Sequence, residues 1–464
     1  MSTTKTTLPK VGISGISSYF PHRRVNLEDW SSWRGANWDK IQAVVGTSFR
    51  VADPREDIYT MAAEALFRLL RDNDISPSTI GLLILATESS LDNAVGASTL
   101  RGLTDRRLKS EGLPAIDRNC ETYELKQACL AGVYGIKQAL RWAMLMPAHR
   151  HAVVVSVDIA EYELGSTGEP TQGAGAIATL ITQRPALLEL DPRESGSSSV
   201  DRETDFRKPH QRPRDKRNPE ARPSDFPVFD GPYSTSCYLD SVCAAFENLT
   251  QLESLDTKRA EGPIGFDRLF FHRPYRQLPE RAACTLLAST IQQSKGGGPE
   301  SPLSTLVHQA DVETDVEVVE LGKRIHKSQV YRDVLEPRLE LGKALTSQFG
   351  NLYTASLPAW IAAAFTEALE NSDKLNHESW LLIGYGSGDA AEAMVGKVVN
   401  GWEDAARKIG IVDALSESLV LDESEYLALH RDGAVDEAAP PQAYRYIALD
   451  PEQPTSVIPK YKVG

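Results

Sequence analysis

The chain has 464 residues, 41% of them hydrophobic and 25% charged, with a formal net charge of −14. The acidic balance excludes a broad nucleic-acid-binding surface, and the absence of any apolar run near the ~18 residues of a spanning segment argues against a membrane helix. The amino terminus "MSTTKTTLPKVGISGISSYF" has no apolar core of signal-peptide length, so export is not expected and a cytoplasmic protein is.

In chain order, "VGISGISSYFP" (11–21) reads as a strand ending at Pro21, and "DIYTMAAEALFRLLRDN" (57–73) has helical spacing of apolar residues. "IGLLILATES" (80–89) is a buried strand with Glu88 at its carboxyl end. Cys129 opens the helix "LAGVYGIKQALRWAM". "HAVVVSVD" (151–158) is a second buried strand, ending at Asp158, and "GAGAIATLIT" (173–182) is a strand of small residues. Residues 193–225, rich in Ser, Arg and Pro, read as an exposed basic insertion between an amino-terminal half (1–192) and a carboxy-terminal half (226–464).

The second half repeats the alternation. "DSVCAAFENLTQLESL" is a helix, "FDRLFFH" (266–272) a strand ending at His272, and "QLPERAACTLLASTIQQS" a helix. "VYRDVLEPRLELGKALTSQFG" is a helical run broken by proline, and "LPAWIAAAFTEALENS" is another helix. "SWLLIGYGSG" (379–388) is a strand ending in a Gly-rich turn, and "YRYIAL" (444–449) is a late strand. Buried strands alternating with helices imply an α/β fold. The similar element content of the two halves permits two related halves.

Glu88, Cys129, Asp158 and His272 all stand at strand or helix ends, where α/β folds collect their sites. A helix amino terminus favours negative charge, which would lower the Cys129 thiol pKa and supply thiolate. Each residue also has a plainer reading. A lone buried cysteine is more often packing, His272 after "LFF" fits a satisfied core histidine, and Asp158 fits a turn cap. The five cysteines are scattered and odd in number, with no CxxC or Cys/His cluster to suggest a metal site, and reduced thiols are expected.

Taken together, "GISSYFP", "REDIYTMAAEAL", "LLILATES", "ELKQACLAG", "VVSVDIAEY", "EPTQGAGAIATLI", "DFPVFDGPYSTSCYL", "FFHRPYRQL", "GNLYTASLPAW" and "GYGSGDAAEAMV" resemble, in order, the hydroxymethylglutaryl-CoA synthase family of the thiolase superfamily. The resemblance implies a five-layered αβαβα core built from two similar halves, and a homodimer. It implies Cys129 as the acyl-accepting nucleophile, Glu88 as the general acid/base, and His272 as the residue that orients the acceptor thioester and assists protonation. Asn351 and Ser387 match residues contacting the acceptor acyl group. Thr171 and Ser234 match substrate-binding positions, and Asp158 and Asp205 match acidic positions that support the pocket. The small residues of "GAGA" would let a pantetheine arm approach the backbone.

This chemistry needs these residue types. Cysteine takes an acetyl group from a thioester and holds it as a thioester, and a carboxylate of raised pKa removes the adjacent methyl proton. The enol attacks the ketone of an acetoacetyl thioester, and water then releases the 3-hydroxy-3-methylglutaryl product. No cofactor is implied beyond the coenzyme A thioester substrates, acetyl-CoA and acetoacetyl-CoA. Three departures bear on recognition: Gln277 where a lysine is common, with Arg276 and Arg281 nearby; Arg207 where an aromatic is usual; and Leu130 where tyrosine follows the cysteine. These leave open a relative acting on acyl-carrier-protein thioesters in polyketide β-branching, a carrier that the basic 202–222 segment would suit. A non-catalytic scaffold is disfavoured by the joint presence of Cys129, Glu88 and His272.

Overall fold

The structure, a computed structural model, describes residues 8–90, 92–208, 226–255, 261–293, 316–416, 418–432, 447–449 and 461–463. In chain order its strands are β1 (Val11–Tyr19), β2 (Arg23–Asn26), β3 (Ser48–Val51), β4 (Ile80–Ala86), β5 (Glu121–Leu125), β6 (His151–Ala160), β7 (Gly173–Gln183), β8 (Leu188–Ser199), β9 (Arg268–Phe271), β10 (Ser379–Gly386), β11 (Ala390–Val398) and β12 (Leu419–Val420). The longer helices are α1 (Leu27–Arg34), α2 (Trp38–Val44), α3 (Ile58–Asp72), α4 (Gly96–Ser110), α5 (Ala131–Leu145) and α6 (Gly231–Thr250). They continue with α7 (Gln277–Gln293), α8 (Val318–Lys327), α9 (Ser356–Asn371) and α10 (Glu423–Asp432). Among the described residues no helix is long and apolar enough to cross a membrane.

Nine strands form one hydrogen-bonded sheet in the order β5-β4-β6-β7-β1-β8-β11-β10-β9. The order contains the same unit twice. In the first half β4 runs parallel to β6, then β7 and β1 follow antiparallel. In the second half β9 runs parallel to β10, then β11 and β8 follow antiparallel. The two units meet where β1 pairs with β8 through Gly12↔Glu189 and Ile13↔Leu188. The first half carries β5 as an additional edge strand.

Alternation along the strands builds the layers. In β4 and β6, Leu83, Leu85, Val153 and Val155 face α3 and α4, whose Leu66, Leu69, Leu100 and Leu103 complete that core. Leu82, Ile84 and Val154 point the other way, onto Val133, Ile136 and Leu140 of α5. In the second half, Phe270 and Trp380 meet Trp360 and Phe365 of α9. From the opposite face of β10, Tyr385 meets Tyr238 of α6. Outer helices, half-sheet, central α5 and α9, half-sheet, and outer α6 and α7 make the expected five-layered αβαβα core.

The structure differs from the sequence reading in places. Residues 193–199, expected in a loop, are the second part of β8, pairing with β11 from Ser195↔Met394 to Ser199↔Ala390. The expected boundary at 192 therefore falls inside a strand. Serine and glycine belong there because α6 lies directly on the strand: a Cβ on Gly196 would stand 2.1 Å from the Leu249 nitrogen. Of the rest of the basic insertion, 200–208 is described and 209–225 lies outside the described residues. The helix expected from 240 begins at Gly231, and the run 330–350 is a π-helical turn (Tyr331–Leu335) followed by two one-turn helices. The late strand is described only over Ile447–Leu449, paired with Tyr461–Val463.

Candidate active site

Cys129 sits two residues ahead of α5, in a turn closed by Leu130 N–H to Gln127 O and Ala131 N–H to Ala128 O, both 3.1 Å. Ala128 takes a left-handed φ of 46°, which costs a residue with a Cβ about 1–2 kcal/mol. The turn can lie close to β10 because that strand offers Gly386, where a Cβ would come within 2.4 Å of Gln127 O. Gly132 lets the first turn of α5 approach Thr354 in the same way. Main-chain constraints on both sides therefore place the sulfur. Cys129 is buried, and its Sγ–H faces Glu88 Oε2 at 3.8 Å.

The expectation of a helix-activated thiolate is not met. Burial, followed by the charges of Glu88 and Asp158, pushes the Cys129 thiol well above its ordinary pKa. The same burial pushes Glu88 up to about 8, with Lys208 opposing and Asp158 adding to the rise. Two acidic groups facing each other in a dry site stay neutral more readily than they ionise. The proton between sulfur and carboxylate is thus available for transfer rather than already lost.

Asp158, at the end of β6, organises this corner. Its Oδ1 accepts from Thr87 Oγ1 (3.0 Å), the Glu88 N–H (2.8 Å) and Ser89 Oγ (2.8 Å). Its Oδ2 accepts from the Thr354 N–H (2.9 Å) and Thr354 Oγ1 (2.5 Å). Asp158 is fully buried and lines neither cavity at the site. It holds the loop carrying Glu88 to the segment carrying Tyr353.

His272 follows β9 and is buried. Its N–H donates to Ile383 O at 2.7 Å, and its carbonyl accepts from Tyr238 Oη at 2.9 Å. Burial drives its imidazole pKa down to about 3, so the ring is neutral at physiological pH. It can donate or accept a hydrogen bond, but it holds no second proton to give.

Cys129 and His272 line one cavity of about 680 Å³. Thr171, Asp205, Ser234, Arg281, Asn351 and Ser387 line it too, so every expected substrate residue except Asp158 reaches this space. Asn351 Oδ1 accepts the Tyr353 N–H at 2.9 Å, and Asp205 Oδ2 accepts from Tyr385 Oη (2.8 Å) and the Gly388 N–H (2.9 Å). The Ser234 hydroxyl is buried with no hydrogen-bond partner among the described residues. Around the thiol, Tyr162, Phe206, Phe229 and Tyr353 form an apolar wall. Glu88 lines an adjoining cavity of about 440 Å³, which shares Phe206 and Ser387 with the first.

Sequence profiles for the amino-terminal and carboxy-terminal domains of hydroxymethylglutaryl-coenzyme A synthase match residues 8–185 and 208–427. The Haloferax volcanii hydroxymethylglutaryl-CoA synthase is 30% identical over 389 residues, covering 82% of this chain and 81% of that protein. The chain belongs to the hydroxymethylglutaryl-CoA synthase family. The Enterococcus faecalis synthase is 27% identical, covering 90% of this chain and 91% of its own. Among solved structures, MvaS in complex with 3-hydroxy-3-methylglutaryl coenzyme A superposes with a TM-score of 0.79 at 27% identity, covering 99% of this chain and 100% of that one. The curacin-pathway HMG synthase in complex with an acetyl donor-ACP shares the fold, with a TM-score of 0.74 at 21% identity and coverage of 98% and 100%.

The departures from the family pattern now have places. Leu130 does not face substrate: it is wholly buried against Gly384 and Gly386 of β10, so the residue after the nucleophile packs the core. Gln277 lines neither cavity, and cations reach the larger one from Arg281 and Lys323 instead. Arg207 turns back on its own loop, donating to Arg202 O at 2.5 Å. The "GAGA" glycines serve packing rather than a pantetheine arm: a Cβ on Gly173 would meet Asn351 O at 2.5 Å, and one on Gly175 would meet Phe20 at 2.8 Å.

The sequence reading missed Lys208, the aromatic wall and Glu169. Glu169 is buried beneath the turn that carries Thr171. Its Oε1 accepts from Trp30 Nε1 (3.0 Å), Arg34 Nη2 (2.9 Å) and Tyr426 Oη (3.0 Å), and its Oε2 from the Gly165 N–H (2.5 Å). Burial alone would raise its pKa, but these donors outweigh it and hold the carboxyl below its usual value. Its side-chain partners come from α1 and α10, far apart in sequence, and no local pattern signals such a contact.

Asp158→Asn would set an amide NH₂ against donors that need an acceptor. The variant should lose about 1–3 kcal/mol of stability in urea denaturation. Unchanged stability would contradict the role of Asp158 as the tie between the two segments.

Proposed function

We propose that this chain is a hydroxymethylglutaryl-CoA synthase that condenses acetyl-CoA with acetoacetyl-CoA and hydrolyses the product from Cys129. The observation that carries the reading is the Cys129–Glu88 pair, 3.8 Å apart beside a cavity that His272 also lines. A decarboxylating condensing enzyme generates its carbanion by losing CO₂ and has no use for a buried carboxylate here. An enzyme that must pull a proton from an acetyl methyl does.

In the proposed sequence the ionised form of Glu88, the minor form at neutral pH, takes the Cys129 thiol proton as sulfur attacks the acetyl thioester, and the departing coenzyme A thiolate takes a proton from water. Glu88, ionised again, removes a proton from the acetyl methyl. The enolate carbon bonds to the acceptor ketone carbon, and the carbonyl electron pair becomes an alkoxide. Protonated Glu88 returns the proton. Neutral His272 contributes a hydrogen bond to the acceptor oxygen rather than a proton, which narrows the role expected of it. The aromatic wall keeps water from the thioester until condensation is complete, after which hydrolysis frees Cys129. No resident cofactor takes part. Arg281 and Lys323 supply positive charge at the cavity for the anionic end of the carrier.

The proposed assembly is a cytoplasmic homodimer. The outer edge of β5 has no strand neighbour among the described residues, and Tyr123 on it is exposed. An open edge invites a second copy. Sedimentation equilibrium should give twice the 51.0 kDa chain mass, and a monomer at micromolar concentration would contradict the dimer.

Intact-protein mass spectrometry tests the chemistry. Acetyl-CoA should add one acetyl group to the wild type and none to Cys129→Ser. Glu88→Gln should be acetylated by a large excess of acetyl-CoA yet condense at least about 100-fold more slowly. With a base near pKa 8, single-turnover condensation should rise with pH and level off above about 8. Acetylation only from an acetylated carrier protein would replace coenzyme A with that carrier, and no acetylation from either would end the enzymatic reading.

A further inference from the structure

Glu88 keeps one oxygen, Oε1, buried with no hydrogen-bond partner among the described residues. The group facing it is the Lys208 ammonium, 3.9 Å away. Two contacts fix that ammonium. It donates to Ser89 Oγ at 3.2 Å, and it stands 4.8 Å from the centre of the Tyr353 ring. Its side chain is only 22% exposed. A lysine laid over a ring and tied to the loop of the catalytic carboxylate is not a freely solvated surface charge.

We propose that Lys208 is a positioning residue for condensation, supplying the counter-charge that lets Glu88 ionise again between acetylation of Cys129 and removal of the acetyl proton. The inference rests on the reading of Glu88 as the base. In that reading Glu88 receives the thiol proton and must lose it before it can act on the methyl group. The groups facing Glu88 make this hard. Cys129 comes from the turn before α5, Asp158 from the end of β6, Tyr162 from the loop after β6, and Tyr353 from the segment before α9. None is a cation, and Asp158 opposes ionisation of Glu88. Among the described residues Lys208 is the one cation acting on Glu88, and an opposite charge at this range lowers a carboxyl pKa by about one to three pH units.

The second cavity supplies the route. Glu88, Ser89 and Lys208 all line it, together with Lys126 and Arg207, while Cys129 lines only the first. The proton leaves Glu88 on that side, to water, and no other bond changes. Once Cys129 carries an acyl group, its sulfur no longer offers Oε2 a hydrogen bond, so the dependence on Lys208 is greatest in the acetyl-enzyme.

The test is single-turnover condensation from preformed acetyl-enzyme as a function of pH, in Lys208→Met and Lys208→Arg. The Met variant should move the rising limb up by about one pH unit or more, slowing the reaction at least about tenfold on the acid side, while the Arg variant keeps the limb near that of wild type. Acetyl stoichiometry by mass spectrometry sets the active fraction, and Lys208→Gln takes the place of the Met variant if the latter takes up no acetyl group. A neutral variant with an unmoved limb, or an Arg variant shifted as far as the neutral one, overturns the proposal. Normal condensation by Glu88→Gln would instead remove the reading of Glu88 itself. A defective Glu88→Gln together with an unmoved Lys208→Met limb removes only the role of Lys208.

Discussion

The site depends on one buried carboxylate that does no chemistry. Asp158 gathers donors from Thr87, Glu88 and Ser89 after β4 and from Thr354 ahead of α9, and so fastens the first half of the molecule to the second at the active site. A buried acid survives only if its oxygens are fully engaged. Those same hydrogen bonds set the backbone at Glu88 and the stretch that holds Tyr353. The Cys129 turn is placed by Gly386 in β10 and by Gly132 at the start of α5, which packs on the Thr354 that Asp158 holds. Nucleophile and base thus share Thr354 as a common support and meet at 3.8 Å.

Dryness gives the site its electrical character. Burial raises Cys129 and Glu88 and lowers His272, so three groups that could carry charge rest neutral. The helix amino terminus was expected to yield a thiolate, yet its partial charge loses to full burial beside two acids. Such a site works by handing protons along rather than by holding ions. Lys208 is the exception, a cation kept within reach of the one group that must become anionic.

Much of this was legible in the chain, for physical reasons that also mark the limits. β4, β6 and β10 are near-continuous apolar runs because both faces of the sheet are covered, and Glu88 and Asp158 lie just past or at the ends of such runs. β5 was missed because it is a half-exposed edge strand, "ETYEL", with little apolar signal. β8 was missed because its serines and Gly196 make room for α6, which composition alone reads as a loop. Glycines in "GAGA" and the leucine after Cys129 look like substrate features in one dimension, and in three they face Phe20, Asn351 and β10. Glu169 and Lys208 act through partners far away in sequence, which no local pattern records.

The central claim is that Glu88 removes a proton from an acetyl group held on Cys129. It is tested most directly by solvent exchange at that methyl group. Enzyme acetylated with trideuterated acetyl-CoA is held with an acceptor analogue whose ketone is replaced by methylene, and the retained deuterium is read by mass spectrometry of the Cys129 peptide. The account predicts that wild type loses deuterium to water while Glu88→Gln, equally acetylated, keeps all three. Equal loss from both enzymes would contradict it.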